Sequence, residues 1–485
     1  MADEMELDGC LDGDSDLQEG WAYPEVGELA GLTSGKFITK HEYTTDQGKP
    51  FPVAGAGGPI GWTDRANFTP PVMTLGRVGA AGVLNIYHTD AWVTDNCLVV
   101  LPDIAELFDF LGLFFRTVGW SDLHTGSSQP LITQTLVKTL PIPLPPLAEQ
   151  KRIVDKVEEL LAQVNAARDR LGKLPAILKR FRQSVLAAAC SGRLTADWRE
   201  NHPDVEHADG LLATLERPRV KRSDDIAPVV TTEDLILPDN WCLSSVGQLF
   251  EVSSGDAFKK KNYAESGIRL FQIANVGFGG TLWEQRHYLP QSFAHSHPKL
   301  MLKAGDIAIA LNRPILGGTL KIARLSDDDL PAILYQRVGR LSPYDTRIAD
   351  YFFLYSISDR MLQEVENRLQ GSDQPYLNTS LVPAIPVPLP PLPEQEEIVR
   401  RVESLFTLAD GIEKSLRAAT IRTEKLTQAI LAKAFRGELV PTEADLARKE
   451  ARPYEPASAL LARIRRERAE KDVSRPKRGN VRRAK

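Results

Sequence analysis

"PIPLPPLAEQ" occupies residues 141–150 and "PVPLPPLPEQ" occupies residues 386–395. The phrases agree at eight of ten positions, lie 245 residues apart, and each runs straight into an apolar pattern of helical period. Alternating prolines fix φ and withhold N–H donors, so each phrase reads as an extended, polyproline-like strut with buried leucines between the prolines. The closing "AEQ" or "PEQ" enters a helix, where proline is tolerated in the first turn and glutamate suits the dipole. Two rigid joints follow, each tying a globular region to a rod.

Downstream of the first phrase, Ile153, Val157, Leu160, Val164, Ala167, Leu171, Leu174, Leu178, Phe181 and Val185 alternate at spacings of four and three. The second copy gives Ile398, Val402, Leu405, Ala409, Ile412, Leu416, Ala419, Thr423, Leu426 and Ile430 in the same register. Such a seam wants a partner helix, and the other copy is the natural one. The first helix should cover residues 148–191, about 65 Å at the usual rise. Pro175 should kink it or replace a turn with a loop.

The self-similarity extends upstream. "WAYPEVGELAGLTSG" (21–35) matches "WCLSSVGQLFEVSSG" (241–255), and "GSSQPLITQTLV" (126–137) matches "GSDQPYLNTSLV" (371–382). "LGRVGAAGVLNI" (75–86) aligns with "LNRPILGGTLKI" (311–322), which places Arg77 opposite Arg313. "ADGLLATLERPR" (208–219) echoes "ASALLARIRRER" (457–468). Short β-like runs mixed with helical pieces make each globule α+β. The expected fold is therefore α+β: two globular domains alternating with two long helices that pair as an antiparallel coiled coil, an internal pseudo-twofold repeat. The boundaries read as an acidic extension (1–20), a first globule (21–140), a first strut and helix (141–194), a linker (195–240), a second globule (241–385), a second strut and helix (386–439) and a C-terminal segment (440–485).

At 485 residues the chain is too long for one core, and 25% charged with 42% hydrophobic residues is ordinary globular composition. No apolar run approaches the roughly 20 residues of a membrane helix. The first twenty residues hold eight acids and no base, the reverse of a targeting signal, so a cytoplasmic protein is expected. Cys10, Cys97, Cys190 and Cys242 have neither disulfide-framework nor zinc spacing and read as reduced thiols. The last twenty-four residues carry a net +8, which reads as a solvated, disordered tail.

Catalytic motifs are missing. "GAGGPIG" (55–61) does not fit G-x-G-x-x-G, and "GLTSGK" (31–36) has the wrong spacing for a phosphate loop. His88, His124, His287, His295 and His297 show no metal-ligand spacing and read as surface residues. "PDIAE" (102–106) lacks the lysine of a metal-dependent nuclease site, and no Asn/Asp-Pro-Pro-aromatic stretch of an adenine methyltransferase occurs. No covalent chemistry and no metal is expected in this chain. What remains is recognition. Candidate DNA-facing residues are Arg65, Asn67 and Arg77 in the first globule, with Lys259, Lys260, Lys261, Asn262, Asn275, Asn312, Arg313, Gln336 and Arg337 in the second. Arginine and amide side chains read base edges, while lysines neutralise phosphates. Arg77 and Arg313 stand out because the alignment gives them matching positions.

The sequence globule, "P-x-P-L-P-P-L-x-E-Q-x-x-I-V", long helix, and the same again resembles the specificity subunit of type I restriction-modification systems. "GAGGPIGWTDRANF" (55–68), "LGRVGAAG" (75–82), "WVTDN" (92–96), "GSDQPYLNTSLV" and "EPASALLARIR" (455–465) carry the likeness, which runs from residue 21 to about 468. The resemblance implies two target-recognition domains, each reading one half of a split double-stranded DNA site, with the helices as ruler and docking surface. It implies as partners two methyltransferase subunits and translocase-nuclease subunits. S-adenosylmethionine, ATP and Mg would sit on those partners and none on this chain. Two other readings stay open: the recognition part of a stand-alone methyltransferase or nuclease, and a coiled-coil scaffold.

Overall fold

The computed structural model describes residues 18–123, 131–215 and 236–474. The acidic residues 1–17 with Cys10, His124, residues 126–130 of the "GSSQP" stretch, residues 216–235 of the expected linker with the end of the 208–219 repeat, and residues 475–485 lie outside the described residues. Two compact units share the chain: residues Lys173–Arg417 form one, and Met1–Gly172 with Ala418–Lys485 form the other.

The first unit contains β1 (Ala30–Ser34), β2 (Phe51–Gly55), β3 (Gly58–Thr63), β4 (Val72–Gly76), β5 (Leu84–Tyr87), β6 (Trp92–Val93) and β7 (Cys97–Pro102). An antiparallel sheet runs β1-β7-β4-β5, and a smaller one runs β3-β2-β6 with β2 and β6 parallel. The run "CLVVLP" alternates between two cores. Leu98 and Val100 join the cluster that includes the helix Phe108–Phe115, while Cys97 and Val99 join one with Ala54, Val72 and Val93. Burial on both faces explains why this strand is apolar throughout.

The second unit repeats the plan. Its strands are β8 (Cys242–Ser245), β9 (Phe250–Ser254), β10 (Ile268–Phe271), β11 (Tyr288–Leu289), β12 (Ile307–Ala310), β13 (Ile315–Leu316), β14 (Thr319–Leu320), β15 (Ile322–Arg324), β16 (Ala332–Leu334), β17 (Val338–Pro343), β18 (Leu369–Gln370), β19 (Tyr376–Leu377) and β20 (Pro386–Leu389). The order β9-β17-β12-β15 matches β1-β7-β4-β5, and β11-β10-β16, with β10 and β16 parallel, matches β3-β2-β6. In β12 the isoleucines face one core and the alanines the other.

The proline phrases are hydrogen-bonded rather than free struts, the second as an edge strand and the first through isolated β-bridges. β20 pairs antiparallel with β8, and Ile142 and Leu144 donate their N–H groups to Pro24 and Ala22 at 2.9 and 2.8 Å. Only alternate residues of a strand face a given neighbour, so proline fits at the positions whose missing N–H the ladder does not use. The prolines' carbonyls are met as well: Tyr355 and Tyr351 donate their hydroxyls to Pro386 and Pro388 at 2.6 and 2.8 Å. Ile142, Leu144, Val387 and Leu389 are fully buried, as the phrase implied.

The helix Leu147–Cys190 is continuous through Pro175, so no turn is replaced by a loop. The second long helix covers Leu392–Phe435. In the first unit Ile153, Val157 and Val164 share a core with Ile430, Leu431 and Ala434. In the second, Val185, Leu186 and Ala189 share one with Ile398 and Val402, and Arg182 bonds to Asp410 and Glu413 at 2.5 and 3.1 Å. The start of each helix meets the end of the other, which makes the pair antiparallel. The seam departs from expectation at Ile412 and Leu426, which are 42% and 46% exposed. After Ala409 the covered positions are Glu413, Leu416, Thr420, Thr423, Thr427 and Ile430, a four-residue step in place of a three. Such a stutter locally unwinds the supercoil and turns Ile412 and Leu426 outward, while Leu416, Thr423 and Ile430 stay covered.

The last two residues of each proline phrase act as a latch. Gln150 and Gln395 donate to the carbonyls of Pro145 and Pro390 at 2.7 and 2.8 Å. Glu149, fully buried, accepts from Trp21 Nε1 at 3.0 Å and from the Glu443 N–H at 2.7 Å. Glu394, equally buried, accepts from Trp241 Nε1 at 2.9 Å, Asn240 at 3.2 Å, Thr195 at 2.7 Å and Arg199 at 2.5 Å. Burial pushes the Glu149 carboxyl up, against the pull of its two donors. Each globule is thus pinned to its own helix by a segment that follows the other helix. The described starts of the echoing pieces share that duty: Ala208 and Ala457 donate to Asn240 and Gly20 at 3.0 and 2.9 Å. Among the described residues the basic segment is helical, within Ala457–Ser474, with Arg465 paired to Glu28 and Arg468 to Asp103, which corrects the expectation of a solvated, disordered segment for that part.

Candidate nucleic-acid interface

Antiparallel pairing brings four loops of each unit to one end of its sheets. In the second unit these are the segments after β9, β10 and β12 and the one between β16 and β17, since Ser254, Ala310 and Val338 lie side by side at that end. Gly255 makes the crossing possible, because a Cβ there would lie 2.5 Å from the carbonyl oxygens of Leu334 and Tyr335. Gly35 does the same in the first unit, 2.1 Å from the Thr94 oxygen. The shared "SG" of "LTSG" and "VSSG" is therefore a packing requirement.

Nine predicted residues belong to the second unit, and all nine come from these four loops. Lys259, Lys260 and Lys261 are exposed on a single 3-10 turn, with Asn262 half-buried. Arg313 and Arg337 are exposed and hold left-handed backbone at φ 45° and 69°. That region is unfavourable for any residue with a Cβ and collects at functional loops. The two loops are stitched together: Leu311 N–H donates to Arg337 O at 2.9 Å and Arg313 N–H to Pro375 O at 2.8 Å. Asn312 bridges to Tyr376, and Gln336 N–H donates to Asp256 O at 3.0 Å. Asn275 is in a loop of the right end but is excluded from reading bases. It is 2% exposed, and its amide donates to Leu282 O and Gln285 O at 2.8 and 3.0 Å while accepting from Gln272 N–H.

The first unit gathers fewer of its predicted residues. Arg77 leaves β4 at the loop end, half-buried, with its N–H on Asn96 O at 2.8 Å. Asn67 is corrected to a structural role: its Nδ2 donates to Val93 O at 3.0 Å and its Oδ1 accepts from Val93 N–H at 2.7 Å, so both ends of the amide are closed on β6. Arg65 is exposed but tethered, paired to Glu42 with its guanidinium 5.1 Å over the Trp92 ring. Glu42 is held at about 2 by the Thr39 N–H first, then the Thr39 hydroxyl and Arg65.

The match of Arg77 to Arg313 is also corrected. Gly76 faces Cys97 in one unit as Ala310 faces Val338 in the other, and Ile132 N–H meets Arg77 O as Leu377 N–H meets Leu311 O. Arg77 therefore corresponds to Leu311, and Arg313 to Gly79, which shares its left-handed backbone at φ 80°.

The structure adds residues that sequence reasoning passed over. Phe37, 71% exposed, follows Gly35 and Lys36, whose carbonyl accepts from Trp92 Nε1 at 3.1 Å. In the second unit Tyr263, Gln272 and His287 form a hydrogen-bonded chain beside the lysine turn. Among the described residues no three His, Cys, Asp or Glu side chains gather as a metal site.

Comparison with known proteins agrees with this arrangement. A family model described as the type I restriction modification DNA specificity domain matches residues 18–174 and again 238–420. The EcoDI specificity subunit of Escherichia coli is 29% identical over 460 residues, 93% of this chain and 96% of that one. The EcoKI specificity subunit of Escherichia coli (strain K12) is 32% identical over 383 residues, 77% of this chain and 74% of that one. Among solved structures, the HsdS subunit from Thermoanaerobacter tengcongensis shares the fold at 21% identity and a TM-score of 0.51, over 88% of this chain and 99% of that one. A chain from a type I R-M assembly gives a TM-score of 0.60 at 20% identity, over 88% of this chain and 100% of that one.

Proposed function

The chain belongs to the type I restriction-modification DNA specificity family, and from that premise we propose how its parts divide the work. It acts as the DNA-recognition subunit of a type I restriction-modification system. Each unit reads one half of a bipartite site through its four-loop end, and the long helices set the gap between the halves. The observation that carries this reading is the same sheet end, with the same crossing glycine, built twice in one chain. In the second unit, exposed lysines supply phosphate contacts beside arginine and amide side chains suited to base edges.

Methyltransferase subunits, two to the complex, dock on the long helices, and translocase-nuclease subunits join them. Ile177, Leu408 and Ile412 on the second unit's helical parts, and Ile421 and Leu426 on the first unit's, are exposed apolar side chains suited to receiving partner helices. S-adenosylmethionine, ATP and Mg belong to those partners, which carry out methylation and cleavage, and the chain itself supplies specificity alone. Among the described residues no helix is long and apolar enough to cross a membrane, and the DNA substrate places the work in the cytoplasm. Methylome sequencing of cells with and without this chain tests the proposal. A split, adenine-methylated motif should appear only in its presence, and an unchanged methylome would sink it.

A further inference from the structure

His287 is exposed, yet one of its ring nitrogens is tied to the protein. Gln272, directly after β10, uses both ends of its amide. Its Nε2 donates to the Tyr263 hydroxyl at 3.3 Å, while its backbone carbonyl and N–H are tied to the Asn275 N–H and Oδ1, both at 2.8 Å. The oxygen is therefore the atom facing His287 Nδ1 at 2.9 Å, and a carbonyl oxygen can only accept. Nδ1 must carry the proton, which leaves Nε2 of the neutral ring with a lone pair. Nε2 has no hydrogen-bond partner among the described residues. The ring is further steadied by Tyr263, centroids 5.2 Å apart, and the His287 carbonyl accepts from Leu270 N–H at 2.8 Å.

The surroundings are those of the loop end. Tyr263 N–H closes the turn that bears Lys259, Lys260 and Lys261, donating to Lys260 O at 3.1 Å. Tyr335 N–H donates to Phe271 O at 3.0 Å, next to Gln272, and Tyr335 leads directly into Gln336 and Arg337. A fixed acceptor thus stands beside cations that can position a duplex.

We propose that His287 is a base-reading residue of the second unit and that Gln272 is its positioning residue. The ligand is a base that presents an exocyclic amino group in the major groove, adenine or cytosine, donating to Nε2. This rests on the reading of the second unit as a DNA-recognition unit. A surface imidazole without Gln272 would exchange tautomers and present donor and acceptor alternately, which discriminates poorly.

The test uses the full chain with its methyltransferase partners, scoring methylation over a pool of split sites randomised in both halves. His287→Ala should lose about tenfold discrimination at one base position of one half-site, with the other half and the gap unchanged. His287→Lys replaces the acceptor with a donor and should shift that position toward guanine. Gln272→Leu removes the acceptor that fixes the tautomer and should blur the same base position alone, an effect that a merely structural glutamine would not produce. Unchanged selectivity in all three variants, or a loss spread evenly over all positions, overturns the inference. A parent complex that writes no split motif overturns the recognition reading itself, a distinguishable failure.

Discussion

A buried carboxylate that accepts four hydrogen bonds is a strong constraint on its neighbours. Glu394 collects Trp241, Asn240, Thr195 and Arg199, from two separate stretches of the second unit. Glu394→Ala would leave the Arg199 charge and the Trp241 N–H unmatched, a loss of about 3 kcal/mol. Chemical denaturation would measure it, and a loss below about 1 kcal/mol would show the latch to be dispensable. Glu397, one turn on, differs because it is close to solvent. Arg400 first, then Arg401, hold its carboxyl down at about 2. A depressed folded value contributes stability above the unfolded value of 4.5, lost as pH falls from there toward 2. Glu397→Gln should therefore cost about 0.5 kcal/mol near neutrality, less in high salt. That difference should vanish in denaturation curves taken near pH 2. None of these roles was visible in the sequence, where the motif's glutamate read only as a helix-dipole residue, because its partners are 128 to 294 residues away. The His287 network is closer in sequence, its links spanning 9 and 15 residues, but it escaped because no periodic pattern marks it.

The elements were more legible than the contacts within them. Proline alternation and heptad spacing are local patterns, so the long helices could be placed within a residue or so of Leu147–Cys190. The stutter at Ala409 could not be seen, since Ile412 and Leu426 are apolar and keep the period. The alignment of Arg77 with Arg313 failed for a related physical reason. Seven residues join β4 to β5 but eleven join β12 to β15, and a slip of two in a strand keeps every side chain on its face. Only the pairing itself fixes the register. Pro175 gives a test at this scale. It sits exposed inside the first long helix and withholds the N–H that Leu171 O would accept. Pro175→Ala should raise stability by about 1–3 kcal/mol. Denaturation curves would show it, and a fall instead would mean that the ring's contacts beside Leu178, Arg182 and Leu416 outweigh the lost backbone bond.

At the scale of the molecule, the ruler reading makes a metric prediction. A heptad inserted in step into both helices, between Ile153 and Val164 in one and between Thr420 and Ile430 in the other, keeps the seam in register. It adds about 10.5 Å of helix, equivalent to about three base pairs. Methylation of sites with graded gaps should move its optimum by that amount with both half-sites unchanged, and an unmoved optimum would count against the ruler. Replacing residues 21–140 with the corresponding globule of a relative should rewrite one half-site only, and changes in both would sink modular readout.

The latch on Glu149 has a consequence for biosynthesis. The unit that begins the chain draws core residues from Ile430 to Ile464, whereas its successor is continuous from Lys173 to Arg417. A nascent polypeptide therefore completes the later unit first. Trp21 and its neighbours wait on the ribosome for tens of seconds, at the usual roughly 5–20 residues per second, for the stretch of chain that will cover them.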